Sequence, residues 1–171
     1  MKHARPFVLA LGLTAGCALK GDVRRVELRV EALRVERARA DSQHVLAVDS
    51  VRTLLATMIH FDYDKALIRS GDASVLDQKM AILQANPALH IRISGHCDER
   101  GSDEYNLALG NRRATAAKQY LVSHGIDASR IETVSYGEER PIAQAHDEEA
   151  WAQNRRDEFE ILAGGENLKQ P

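Results

Sequence analysis

Leu89-His90-Ile91-Arg92-Ile93-Ser94-Gly95 runs directly into His96-Cys97-Asp98-Glu99-Arg100-Gly101, and from Asp103 a third stretch carries the chain to His124. In the first stretch Leu89, Ile91 and Ile93 alternate with His90, Arg92 and Ser94, the period of a strand with one buried and one exposed face. The third stretch reads as a helix, and Gly125 stands just past its end, where glycine takes a left-handed conformation without strain. Strand, loop and helix in this order set the frame for the rest. Upstream, Thr57-Met58-Ile59-His60-Phe61 signals a short strand. Ser70 can cap a helix whose apolar positions are Leu76, Met80 and Leu83, and Asn86-Pro87 stops it. Downstream, Arg130 to Tyr136 reads as a third strand and Glu158 to Leu162 as a fourth, with Phe159 and Ile161 inward. The pattern predicts an α+β domain over residues 57–163. Its four-stranded mixed sheet has helices packed on one face in a βαβαββ-type order, and a long N-terminal helix precedes it. Residues 164–171 read as a flexible tail.

At 171 residues the chain has room for one such domain and an appendage, which excludes a large multidomain enzyme. Hydrophobic residues at 44% and charged residues at 28% are ordinary for a folded protein, and a net charge of -2 leaves no basic surplus for nucleic acid. The one apolar run at the N-terminus, Phe7 to Leu13, is shorter than the roughly 20 residues of a membrane-spanning helix. It reads instead as an export signal over residues 1–16. Lys2 and Arg5 form its positive end, Phe7 to Leu13 its apolar core, and Ala15-Gly16 the small residues before a cut. Cys17 directly after that cut resembles the bacterial lipoprotein signal, in which this thiol is acylated. Thr14 stands where that signal prefers leucine, and an ordinary secretory signal with a chance cysteine is the alternative. Ala18, rather than an aspartate, points to transport onward to the outer membrane.

A helical spacer is expected over residues 17–56. Val23, Val26, Val30, Leu33, Arg37, Ala40, His44, Ala47, Val51 and Leu54 recur at alternating spacings of three and four, and Gly and Pro are absent from Asp22 to Met58. Arg24 with Glu27, Glu31 with Arg34 and Glu36 with Arg39 can pair across a turn. A fully helical 22–56 would be about 52 Å long. Arg37 and His44 in the seam make it a weak coiled coil at best, so self-association and a solvated spacer both stand open.

The loop after the second strand concentrates reactive side chains. His96, Cys97 and Asp98 invite a catalytic or metal reading, yet successive residues on extended chain point to opposite sides, and no second histidine pair stands at metal-ligand spacing. Cys97 reads as a small space-filler beside the sheet, and no enzyme, metal or cofactor is expected. Asp98 taken by itself could pair with Arg100 or cap the turn.

Phe61-Asp62-Tyr63-Asp64-Lys65, Gly95 to Gly101, Glu104 to Ala114, Ser135-Tyr136-Gly137-Glu138-Glu139-Arg140-Pro141 and Asn154-Arg155-Arg156 together resemble the OmpA-like peptidoglycan-binding domain family, and within it the lipoprotein branch. The resemblance runs from about Ile59 to Ile161. It implies binding of meso-diaminopimelate in the stem peptide of peptidoglycan, a ligand whose free end carries an ammonium and a carboxylate. By this resemblance Asp98 accepts from the ammonium and Arg113 forks onto the carboxylate, which its planar guanidinium suits. Asp64, Asn106 and Arg156 match further contact positions, whereas Arg112 and Arg155 read as solvated or structural. The implied function is a lipid-anchored tether of the outer membrane to the wall, facing the periplasm, with a TolB-like periplasmic protein as partner in the Tol system of envelope integrity and cell division. A wall-binding lipoprotein outside that system is the alternative.

Overall fold

The computed structural model describes the backbone of residues 15–171 and the side chains from residue 23 onward. Residues 1–14 of the expected leader, and the side chain of Cys17, lie outside the described residues. The elements are α1 (Ala15–Ala56), β1 (Ile59–His60), α2 (Ser70–Ala85), β2 (His90–His96), α3 (Asp103–Ser123), a 3-10 turn (Ala128–Arg130), β3 (Ile131–Gly137), α4 (Glu148–Asn154) and β4 (Arg156–Ala163). The chain divides into two units, Met1–Val45 and Leu46–Pro171. In the first, α1 is unbroken through residue 45, as the absence of Gly and Pro predicts, and Arg34 lies 3.5 Å from Glu31 one turn away. Among the described residues no helix is long and apolar enough to cross a membrane.

In the second unit the sheet runs in the order β1-β4-β2-β3. β2 is parallel to β3 and antiparallel to β4, and β4 is antiparallel to β1, so the sheet is mixed, as expected. The inward residues Ile91, Ile93, Ile131 and Phe159 meet Leu76, Ile82 and Leu83 of α2 and Ala114, Ala117 and Leu121 of α3 in one core. Each Leu, Ile or Phe side chain among them contributes about 1.5–3 kcal/mol when fully buried. On the opposite face of the sheet Arg92 lies 3.1 Å from Glu132 and 3.4 Å from Glu160, a polar surface that water can share.

Four local expectations change. The first strand is cut to Ile59–His60, because only Asp157 and Arg156 of β4 are opposite to pair with it. The N-cap of α2 is Arg69 rather than Ser70 and has no side-chain cap. Asp72 of the first turn instead accepts the His60 N–H at 2.8 Å and Arg69 Nε at 2.6 Å, stitching β1 to α2. The core extends upstream of residue 57, since Val48, Val51 and Leu55 of the last turns of α1 are buried in it. The C-terminal stretch is also docked: Leu168 is buried, and the Asn86 side chain donates to the Lys169 carbonyl at 2.9 Å and accepts its N–H at 2.8 Å. Helix α4 is an addition that the strand pattern did not reveal, capped by Asp147, which accepts the Ala150 N–H at 2.9 Å.

Candidate functional site

The loop after β2 and the start of α3 enclose a cavity of about 210 Å³ with the loop after β1. Tyr63, Asp64, Asp98, Arg100, Asn106 and Arg113 are among its lining residues. Their positions follow from local structure. Ser102 caps α3 by accepting the Tyr105 N–H at 3.3 Å, and this cap starts a helix that places Asn106 and Arg113, two turns apart, on one buried side.

Asp98 is almost wholly buried and surrounded by donors. One carboxylate oxygen accepts the Arg100 backbone N–H and Nε, both at 3.1 Å; the other accepts Arg100 Nη2 at 2.7 Å and Arg155 Nη1 at 3.1 Å. Burial alone would raise its pKa, but these hydrogen bonds, chiefly those from Arg100, hold it below the ordinary carboxylate range. A carboxylate has about four lone-pair sites, and here four donors fill them. Arg100 is in turn sandwiched, 4.0 Å from the Tyr63 ring centre and 4.2 Å from that of Trp151, and its Nη1 lies 3.3 Å from Glu148.

Arg113 is fully buried, and its guanidinium is held by backbone carbonyls: Nε donates to Lys65 at 2.8 Å, Nη1 to His96 at 2.7 Å and Nη2 to Asp62 at 3.2 Å. Burial lowers its pKa, with the Cys97, Asp157 and Asp98 groups opposing. The three carbonyls come from the loop after β1 and the end of β2, so the guanidinium is fixed in orientation, and among the described residues no carboxylate forms an ion pair with it. Nη1 also lies 3.4 Å from Cys97 Sγ, which leaves one Nη2 N–H and the positive charge to meet an anionic oxygen.

Asn106 is buried and its amide donates to the Asp98 carbonyl at 3.2 Å and the Arg100 carbonyl at 3.3 Å, and also to the Glu138 carboxylate, which fixes the loop against α3. Asp64 adopts a left-handed backbone with φ 55° and accepts the Tyr105 hydroxyl. Arg156 is not brought to this cavity. Its guanidinium is bound by Glu158 and by the carbonyls of Asn154 and Arg140. The neighbouring Arg155 reaches Asp98 instead, with Nε on the Phe61 carbonyl at 3.0 Å and Nη2 on Glu148 at 2.7 Å. Adjacent residues entering a strand face opposite sides, and sequence reading had no means of telling which of the two turned inward.

Cys97 and His96 do not form a nucleophile and base. The Cys97 thiol donates to the Asn106 carbonyl at 3.2 Å, and burial pushes its pKa up to about 11, away from thiolate. The His96 ring stacks on Tyr136 with centres 5.4 Å apart, and burial, with Arg156 nearby, lowers its pKa to about 4.

An open mixed sheet with helices on one face, whose loops bring Asp98 and the fixed guanidinium of Arg113 to a single cleft, defines an α+β domain. The chain belongs to the OmpA family, whose model matches residues 60–155. It is 40% identical over 154 residues to the peptidoglycan-associated lipoprotein of Rhizobium meliloti, covering 88% of this chain and 84% of that one. With the protein of the same name from Pseudomonas putida the identity is 38% over 158 residues, covering 90% and 92%. The Haemophilus influenzae protein of that name is 48% identical over 98 residues, which is 57% of this chain and 64% of that one, just under two thirds of its length. The crystal structure of the peptidoglycan-associated lipoprotein from Burkholderia pseudomallei superposes with a TM-score of 0.62 at 41% identity, covering 64% of this chain and 93% of that one. The C-terminal domain of Helicobacter pylori MotB has the same fold, with a TM-score of 0.57 at 22% identity over 61% of this chain and 83% of that one.

Proposed function

We propose that this chain is a lipid-anchored binding protein, not an enzyme, that tethers the outer membrane to peptidoglycan as the Pal component of a Tol-Pal system. Cys17 carries the lipid, the anchored protein faces the periplasm, and the domain holds the meso-diaminopimelate of the stem peptide. The observation that carries the reading is that Asp98 and Arg113 line one cleft, an acid and a base of the kind a zwitterionic end requires. In this account the ligand carboxylate takes the guanidinium of Arg113. The ammonium takes lone pairs on Asp98 now filled by Arg100, so Arg100 yields while Arg155 keeps Asp98 in place. Asp64 and Asn106 complete the lining, and Arg156 acts from outside the cleft. A modest affinity serves the purpose. A micromolar site corresponds to about 8 kcal/mol, and many anchored copies facing a repetitive polymer act at high effective concentration.

The test is titration calorimetry of residues 46–171 with a diaminopimelate stem peptide, beside Asp98→Asn and Arg113→Lys, with circular dichroism to verify folding. Saturable binding lost in both folded variants is the expected result, and a folded wild type that takes up no peptide sinks the proposal. Capture of a TolB-like protein by the same domain, competed by stem peptide, supports the Tol-Pal role; wall binding without such capture favours a wall-binding lipoprotein outside that system.

A further inference from the structure

Helix α1 carries an apolar seam that is exposed among the described residues, and the charges beside that seam discriminate between partners. Val23, Val26, Val30 and Leu33 are 56%, 62%, 42% and 56% exposed. With Val23 at position a of a heptad, Val30 and Arg37 are also a, and Val26, Leu33 and Ala40 are d. The flanking e positions are Glu27, Arg34 and Asp41; the flanking g positions are Arg29 and Glu36.

Two parallel copies would place each g residue against the e residue five further on in the partner. Arg29 would then face Arg34, and Glu36 would face Asp41, like charges at both points. Two antiparallel copies pair g with g and e with e. When Val30 lies opposite Leu33 of the second copy, Arg29 meets Glu36 and Glu27 meets Arg34, and the twofold symmetry repeats both pairs. The seam layers are then Val30 on Leu33, Val23 on Ala40 and Val26 on Arg37, whose aliphatic stem can cover the valine while its head lies toward Glu27. Sliding one heptad in one direction sets Arg29 on Arg29 and Glu27 on Glu27. Sliding the other way sets Arg34 on Arg34 and Glu36 on Glu36. Of these four arrangements one is free of like-charge contacts, and opposite charges at e and g are what select orientation and register in coiled coils.

We infer that residues 23–40 of α1 pair with the same residues of a second copy, antiparallel and with Val30 opposite Leu33. The occupant of the seam is therefore this chain itself; the two Cys17 positions then stand about 44 Å apart along the pair, so copies that carry the proposed anchor in one membrane pair with α1 lying along its surface.

Charge reversal separates this pairing from its rivals because the parallel and antiparallel forms respond with opposite sign. Sedimentation equilibrium of the full-length chain in density-matched detergent is run for wild type, Arg29→Glu, Glu36→Arg and the double variant, with circular dichroism to verify that α1 stays helical. Each single variant turns two attractive pairs into repulsive ones and weakens dimerisation about 5- to 30-fold. The double variant restores both pairs and returns to the wild-type dissociation constant. In a parallel dimer Arg29→Glu would instead relieve the clash with Arg34, and Glu36→Arg the clash with Asp41, so both singles would tighten it. Tightening in the single variants, or a wild type that stays monomeric at millimolar concentration, overturns the inference.

Discussion

Gly95 of β2 and Gly110 of α3 meet backbone to backbone: a Cβ added to Gly95 would stand 2.0 Å from the Gly110 carbonyl oxygen. A Cβ on Gly110 would meet Ser135 Oγ at 2.4 Å, so α3 is seated on β2 and β3 where neither glycine has a side chain. This contact lies three residues from Asp98 and three from Arg113 along their respective elements, and so it sets the spacing of the cleft. Gly95→Ala has to push the helix off the strand and is expected to cost about 3 kcal/mol or more in urea unfolding. Gly71→Ala, in α2 with nothing within 4 Å of its added Cβ, is the control and should stabilise by about 0.4–1 kcal/mol. Equal effects at the two sites would refute the seating argument.

The upstream boundary of the domain gives a second prediction. Val48, Val51 and Leu55 are in the core, and the backbone carbonyls of Leu54 and Leu55 accept from the buried Lys79 ammonium at 2.9 and 2.5 Å. A fragment beginning at residue 57 loses those side chains and leaves Lys79 without these acceptors, a deficit on the order of 5 kcal/mol. It should be largely unfolded, whereas residues 46–171 should show a cooperative transition. Matching denaturation midpoints for the two fragments would show that α1 adds nothing to the domain.

Lys79 also predicts a pH dependence. Burial lowers its pKa to about 7 from the usual 10.5. The unfolded chain therefore holds this proton through a window in which the folded chain has released it, roughly pH 7 to 10. Stability from this group rises with pH across that window, by up to about 1.4 kcal/mol per unit, and its penalty is greatest below pH 7. Lys79→Met, which can still pack against Phe159, should flatten the slope of unfolding free energy between pH 7 and 10. An unchanged slope in the variant would place the titration elsewhere.

Asp157 predicts the opposite sign. Both of its carboxylate oxygens are buried without a hydrogen-bond partner, and burial raises its pKa well above the ordinary value, with Arg113 opposing. The unfolded chain loses this proton near pH 4 and the folded chain retains it, so stability from this group falls as pH rises from about 4 toward the raised pKa. Asp157→Val suits a strand and removes the unsatisfied carboxyl. It should stabilise by about 1–3 kcal/mol at pH 7 and by less at pH 4, as thermal unfolding at the two values would reveal. Destabilisation at both would mean that the carboxyl supports Arg113.

Much of the fold was legible because its signals are local. The alternation in Leu89 to Gly95, the run of α3 and its glycine stop, and the inward Phe159 and Ile161 each lie within one element, and the element places them as read. The family resemblance points to Asp98, Asp64, Asn106, Arg113 and Arg156, of which the first four line one cavity and Arg156 does not. The sandwich of Arg100 between Tyr63 and Trp151 was not legible, because its three members come from separate loops and α4. Arg155 and Arg156 were distinguishable only by register. In Leu46 to Ala56 the helical period continues without interruption across the unit boundary, so nothing local marks where the helix passes from exposed to buried.

The sequence by itself determined the order of the four strands, the helices α1 to α3 and the position of the reactive loop, since periodicity, caps and turn residues act over a few positions; the acid and base beside that loop came from the family resemblance. Only the tertiary structure decided which arginine binds Asp98, how closely β2 and α3 approach, and that the end of α1 and Leu168 belong to the core. Those outcomes depend on contacts between segments far apart in the chain, where packing and the burial of charge, not local propensity, select the partner.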